Sequence, residues 1–143
     1  MSYPNLLYKR SDGAPLTFKQ LDDNSSVTEA KINGIQNIVN INADDYTGTT
    51  YLLSGSTDLG CLLVCDTTNN ALDVEIPTAA IYEFPVGSHI DILMYGTNNV
   101  TIIGSNSITL NSYQNKTTIG GQYVAVTLIN LAKNEWLLVG NLV

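Results

Sequence analysis

From residue 84 to the last, the sequence reads FPVGSHIDILMYGTNNVTIIGSNSITLNSYQNKTTIGGQYVAVTLINLAKNEWLLVGNLV, a ladder of short apolar runs broken by Gly and Asn. Between Asp91 and Glu135 there is no acidic residue, and Lys116 and Lys133 are the only charges. Runs of this length, rich in Val, Ile, Leu and Thr, read as strands. A stretch so poor in ionisable groups is also a poor place for catalysis, so it constrains function as well as fold.

The same period of two extends upstream. Residues 50–54, 61–66, 73–76, 89–95, 100–103, 107–110, 123–131 and 135–139 are the expected strands. Turn chemistry falls between them, at Gly55 and Gly60, residues 67–71, Pro85 to Gly87, Gly96 to Asn99, Gly104 to Asn106, Gly120 with Gly121, and Lys133 with Asn134. Short strands at a spacing of about 10 residues predict an all-β sandwich, barrel or jelly roll. The domain is expected over residues 46–143, behind an arm, short helix and linker over residues 1–45.

Two strands are apolar on both sides. In residues 89–95, Ile90, Ile92 and Met94 share one face while Asp91, Leu93 and Tyr95 share the other. In residues 123–131, Val124, Val126 and Leu128 oppose Tyr123, Ala125, Thr127, Ile129 and Leu131. Both faces need cover, and with one candidate helix in the chain the expected cover is an identical copy.

That helix lies near the start. In PLTFKQLDDN, Thr17 and Gln20 form a capping box, with Leu16 and Leu21 as its hydrophobic staple. The expected helix runs from 18 to 31 or 33, followed by an extended linker through Ile41. Its seam of Leu21, Ser25, Thr28, Ile32, Ile35 and Val39 is too polar at the outset to sustain a coiled coil, and Gly34 weakens it further.

Of 143 residues, 44% are hydrophobic and only 13% charged, so the chain folds and leaves a polar but mostly neutral surface, suited to contact with protein. The formal charge of −7 and the six Lys and Arg argue against nucleic acid and favour a basic or Arg-bearing protein surface. No apolar run is long enough for a bilayer and no signal peptide is evident, so synthesis in the cytoplasm and no membrane contact are expected. Cys61 and Cys65, four residues apart in an extended strand, stand about 13 Å from one another. They cannot bridge and are expected as buried apolar residues without metal or redox work.

Chemical constellations are sparse. His89 is the only histidine and Ser88 lacks a nucleophile-elbow pattern, so no triad is expected. Asp22 with Asp23 and Asp44 with Asp45 are adjacent pairs whose side chains diverge, which suits solvation better than glycoside cleavage; Asp44 and Asp45 leave open a cation at a subunit contact. Trp136 and the eight tyrosines would stack on sugar rings only if grouped on an exposed face, and Trp136 is expected in core or subunit packing. The chain is therefore expected to be no enzyme and to need no cofactor or metal.

A resemblance covers most of the chain. The succession YTGTTYLL, GCLLVCD, VEIP, FPVG, IDI, Gly96 with residues 100–102, ITLN, residues 120–128 and WLLVGNL resembles a β domain of structural proteins of tailed bacteriophages, in tail fibres, head fibres and capsid decoration proteins. The opening GAPLTFKQLDDN is similar to a segment that begins such proteins. The resemblance implies a β-rich homotrimer on the virion exterior, bound to the major capsid protein or another virion protein. With no repeats or shaft visible, it favours a capsid decoration (cement) or head-fibre protein, the alternative being a tail fibre or adaptor that binds host saccharide. Contact with the capsid would fall on Tyr3, Pro4, Leu6, Leu7, Tyr8 and Arg10 with Leu16 and Phe18. Contact between the three copies would fall on Leu21, Ile32, Ile35, Tyr95, Tyr123 and Trp136.

Overall fold

The computed structural model describes residues 37–46 and 48–143. The capping box, the expected helix and the arm lie outside the described residues. Within them run nine strands: β1 (Ile38–Asn42), β2 (Thr50–Leu52), β3 (Leu62–Asp66), β4 (Leu72–Ile76), β5 (His89–Met94), β6 (Val100–Gly104), β7 (Thr109–Ser112), β8 (Ala125–Ala132) and β9 (Glu135–Gly140). Each of the eight expected strands is present. β1 is an addition, formed within the stretch read as an extended linker.

Alternation sets the strands. In β4, Leu72, Val74 and Ile76 are buried while Asp73 and Glu75 lie on the opposite, half-buried side. Two boundaries shift for a backbone reason. Ser107 (φ 75°) and Tyr123 (φ 63°) are in the left-handed region, which a strand cannot include, so β7 begins at Thr109 and β8 at Ala125.

Successive strands alternate between two sheets. β1, β3 and β5 run parallel in a six-stranded sheet of order β1-β3-β5-β8-β9-β7, and β2, β4 and β6 form a parallel sheet in that order. Ile38 pairs with Leu62 and Leu62 with Asp91, while Thr50 pairs with Asp73 and Asp73 with Thr101. Each winding thus takes about 25 residues and visits both sheets once, the path of a short β-solenoid. After β6 the winding ends: β8 packs antiparallel to β5, β9 antiparallel to β8, and β7 parallel to β9. The edge of β6 is closed by Thr117 to Ile119, through Ile102 N–H to Thr117 O (2.9 Å) and Ile119 N–H to Val100 O (2.9 Å).

The described residues are all-β as expected, but they do not form a sandwich of Greek keys or a jelly roll. Those topologies pair antiparallel strands, and five of the seven pairs here are parallel. The expectation of no repeat also fails, because the windings recur in space while the connections between β2 and β3 and between β4 and β5 differ in length and hide the period in sequence.

Inward residues stack from one winding to the next. Val39, Leu63 and Ile92 form one stack and Ile41, Cys65 and Met94 another, facing Val74 with Ile102 and Leu72 with Val100 across one core. Each fully buried aliphatic side chain contributes roughly 1.5–3 kcal/mol. At the corner after β1, β3 and β5 the stack continues in small residues, Ala43, Thr67 and Gly96. A Cβ on Gly96 would lie 2.3 Å from the Thr67 carbonyl carbon, so only glycine fits there. Thr67 is buried and donates Oγ1 to Asn98 O (2.6 Å), and Asn98 Nδ2 donates back to Thr67 O (2.8 Å).

Candidate interaction surface

The outward face of the six-stranded sheet is assembled by register. Ile38, Leu62, Asp91, Thr127 and Val139 form one row across β1, β3, β5, β8 and β9, and Asn40, Val64, Leu93 and Ala125 form the next. His89, Ile129 and Leu137 form a third. Leu62, Val64, Leu93, Ile129 and Leu137 are half-buried, and Ile38, Leu131 and Val139 are exposed. Asp91, the carboxylate in the middle, accepts from Thr127 Oγ1 at 2.5 Å. The face is thus broad and largely apolar, with Asp66, Asp91 and Glu135 as its carboxylates. Parallel strands are ordinarily covered on both sides, and among the described residues nothing covers this one. The two-sided apolarity of β5 and β8 has its cause here: Ile90, Ile92, Val126 and Leu128 fill the core, and Leu93 and Ile129 belong to the outer face.

At one end of this face stand Tyr95 (49% exposed) and Tyr123 (66% exposed), edge to face with centroids 5.8 Å apart. Gln122 Nε2 holds the turn by donating to Tyr95 O (3.0 Å). Beside Tyr95 opens a groove of about 580 Å³ lined by Asn40, Ile41, Asn42, Asp45, Val64 and Asp66. Asp44, next to it, is already engaged. It accepts from the side-chain amides of Asn69 and Asn70, both at 2.6 Å, which hold its carboxyl below the usual range.

Of the positions expected at contacts between copies, Tyr95 and Tyr123 are brought together on the surface. Trp136 is not: it is 2% exposed, packed edge to face on Phe84 at 5.2 Å, and belongs to the core of its own chain. Leu21, Ile32 and Ile35, and the expected capsid contacts Tyr3, Pro4, Leu6, Leu7, Tyr8, Arg10, Leu16 and Phe18, lie outside the described residues.

Under Tyr82, Phe84 and Trp136 lies a cavity of about 10 Å³, room for one water. There Asn130 donates Nδ2 to Phe84 O (2.7 Å) and Pro85 O (3.2 Å) and its Oδ1 has no partner among the described residues. His89 starts β5 half-buried, and the neighbouring Ser88 hydroxyl is used by Pro85 O. Both cysteines are free and buried; burial pushes the Cys65 thiol up to about 12, the opposite of an activated thiolate. Among the described residues no three His, Cys, Asp or Glu side chains are placed to hold a metal, Asp44 and Asp45 included, and no helix is long and apolar enough to cross a membrane.

Two features escaped the sequence reading. Asp58, one of the acidic residues behind the negative net charge, is fully buried. It accepts from Tyr51 Oη (2.8 Å), the Ser54 N–H (2.7 Å) and Thr57 Oγ1 (3.1 Å), tying the β2–β3 connection to β2. Burial, then the Asp58 hydrogen bond, raises the Tyr51 phenol well above its ordinary range. The groove was missed as well. Its only trace is a polar residue at the ends of two strands one winding apart, Asn42 and Asp66. Compared with known proteins, the sequence matches no family model and no curated relative.

Proposed function

We propose that this chain is a non-enzymatic structural protein of a tailed-bacteriophage virion, a capsid decoration or head-fibre protein that assembles as a homotrimer and binds the capsid exterior. The observation that carries the reading is the apolar face around Leu93, Ile129, Leu137 and Val139, which no other described residue covers. An apolar surface of this kind marks a protein contact. Tyr95 and Tyr123 flank that contact. Three linked copies multiply weak shell contacts through effective concentration, and each contact made only with the assembled shell stabilises it by mass action.

Purified protein mixed with expanded empty capsids is expected to saturate a fixed set of shell sites and raise the melting temperature of the shell. Failure to bind shells, together with binding to host cells, would replace this reading by the second one. That second reading, a tail fibre or tail adaptor that binds host saccharide, is favoured by one observation, the winding of β1 to β6, since a solenoid is a shaft-like architecture. Copy number separates the two, hundreds per particle for decoration against a handful for a tail.

A further inference from the structure

We infer that the groove beside Tyr95 is a seat for an arginine side chain offered by a protein partner. The inference rests on the reading that the chain binds another protein, and it names the chemistry by which that partner is recognised.

The walls are complementary to a guanidinium. Asp45 lines the groove, and neither of its oxygens is taken by a side-chain hydrogen bond from the described residues, which suits the planar fork of an arginine. Asp66 uses only Oδ1, which accepts from Thr68 N–H (3.0 Å) and Thr68 Oγ1 (2.7 Å), and its Oδ2 is unpartnered among the described residues. Asn40 adds an amide oxygen. Val64 also lines the groove, an apolar surface for the methylenes of a long side chain, and Tyr95, 49% exposed, lines it with an aromatic ring that can engage a guanidinium.

Charge points the same way. Within residues 37–143 the only cations are Lys116 and Lys133, and neither lines the groove. The contrast with Asp44 sharpens the assignment: two asparagine amides occupy that carboxylate, while its neighbour Asp45 is left open. A compact metal ion would need a set of three ligands, which the described residues do not place here. Lysine would meet the carboxylates as a point charge but would use neither the fork nor the stacking face.

The test is titration of the full chain with an oligo-arginine peptide, an oligo-lysine peptide of equal length and a neutral peptide, followed by calorimetry and by backbone amide shifts. The expected result is tighter binding of oligo-arginine than of oligo-lysine, weakened by added salt, with shifts confined to the residues around Tyr95. Asp45→Asn with Asp66→Asn should weaken it about tenfold while the far-ultraviolet circular dichroism stays unchanged. Tyr95→Ala should abolish the preference for arginine. Equal binding of both cationic peptides, unaffected by these variants, would overturn the inference in favour of diffuse attraction to an acidic chain, and no binding of either would overturn it outright. Shell binding that survives the double variant also removes the groove from recognition yet leaves the virion reading standing, whereas arginine selectivity without shell binding does the reverse.

Discussion

At the scale of single residues, the positions that matter most are those with no hydrophobic signature. Gly96 is surrounded by backbone, with Thr67 C, Thr67 N and Thr68 N all within 2.4 Å of where a Cβ would stand. Backbone cannot yield as a flexible side chain does, so Gly96→Ala is expected to cost about 1–3 kcal/mol in denaturant unfolding. An unchanged midpoint would mean that the corner stack is looser than the geometry implies. Asp58→Ala removes the acceptor of Tyr51, Ser54 and Thr57 together, for an expected loss of about 3 kcal/mol. Neither position was legible in sequence, because glycine and aspartate in loops carry turn and solvation meanings that overwhelm the rarer cases of close approach and buried acceptor. Cys65 was legible, since a small apolar residue in phase with Leu63 belongs inside. Its thiol is raised from an ordinary 9.0 to about 12 in the folded chain, so the folded state holds its proton after the unfolded state has lost it. The stabilisation is complete below pH 9 and lost as pH rises from 9 toward 12. Tyr51, also raised, adds a loss of the same sign above its ordinary value of 10.0. Melting scans against alkaline pH check this, with the part due to Cys65 absent in Cys65→Ala.

At the scale of elements, period-two alternation located eight strands because burial on one face is a local property of a few residues. β1 was missed because Ile32, Ile35 and Val39 also satisfy a heptad, and the competing seam absorbed the residues that, read two by two, give Val39 and Ile41 inward. Edges moved where a non-glycine residue takes a left-handed conformation, which side-chain pattern does not reveal. β5 gives the sharpest test of the two-faced reading, since neighbours on it answer to different environments. Ile92→Ala opens a cavity in the core and is expected to cost about 2–5 kcal/mol at any protein concentration. Leu93→Ala, on the outer face, should leave the unfolding of dilute chains nearly unchanged and instead shift the concentration at which copies associate. Equal effects from the two, independent of concentration, would show that the outer face is ordinary solvent-facing surface.

At the scale of the whole molecule, strand spacing did not discriminate between a chain that doubles back and one that winds forward, for both place short strands about 10 residues apart. What decides is which strands are neighbours, a property of long-range pairing that no window of sequence holds. The winding has an energetic consequence of its own. In a solenoid each element contacts only the elements beside it, so stability is set by the number of paired neighbours and not by depth in a single globule. β5 is flanked by β3 on one side and β8 on the other, with inward residues Ile90, Ile92 and Met94 all buried, whereas β1 and β7 have one paired neighbour each among the described residues. Amide hydrogen exchange of the native chain should therefore be slowest in β5 and its partners β3 and β8, and should quicken outward in both directions to β1 and β7. If copies associate through the outer face, that gradient must steepen with concentration across β5, β8 and β9, because side chains covered by another chain suppress local opening of the strands that carry them. Protection that is uniform over all nine strands and indifferent to concentration would refute both the nearest-neighbour account of the winding and the use of its apolar face as a contact between copies.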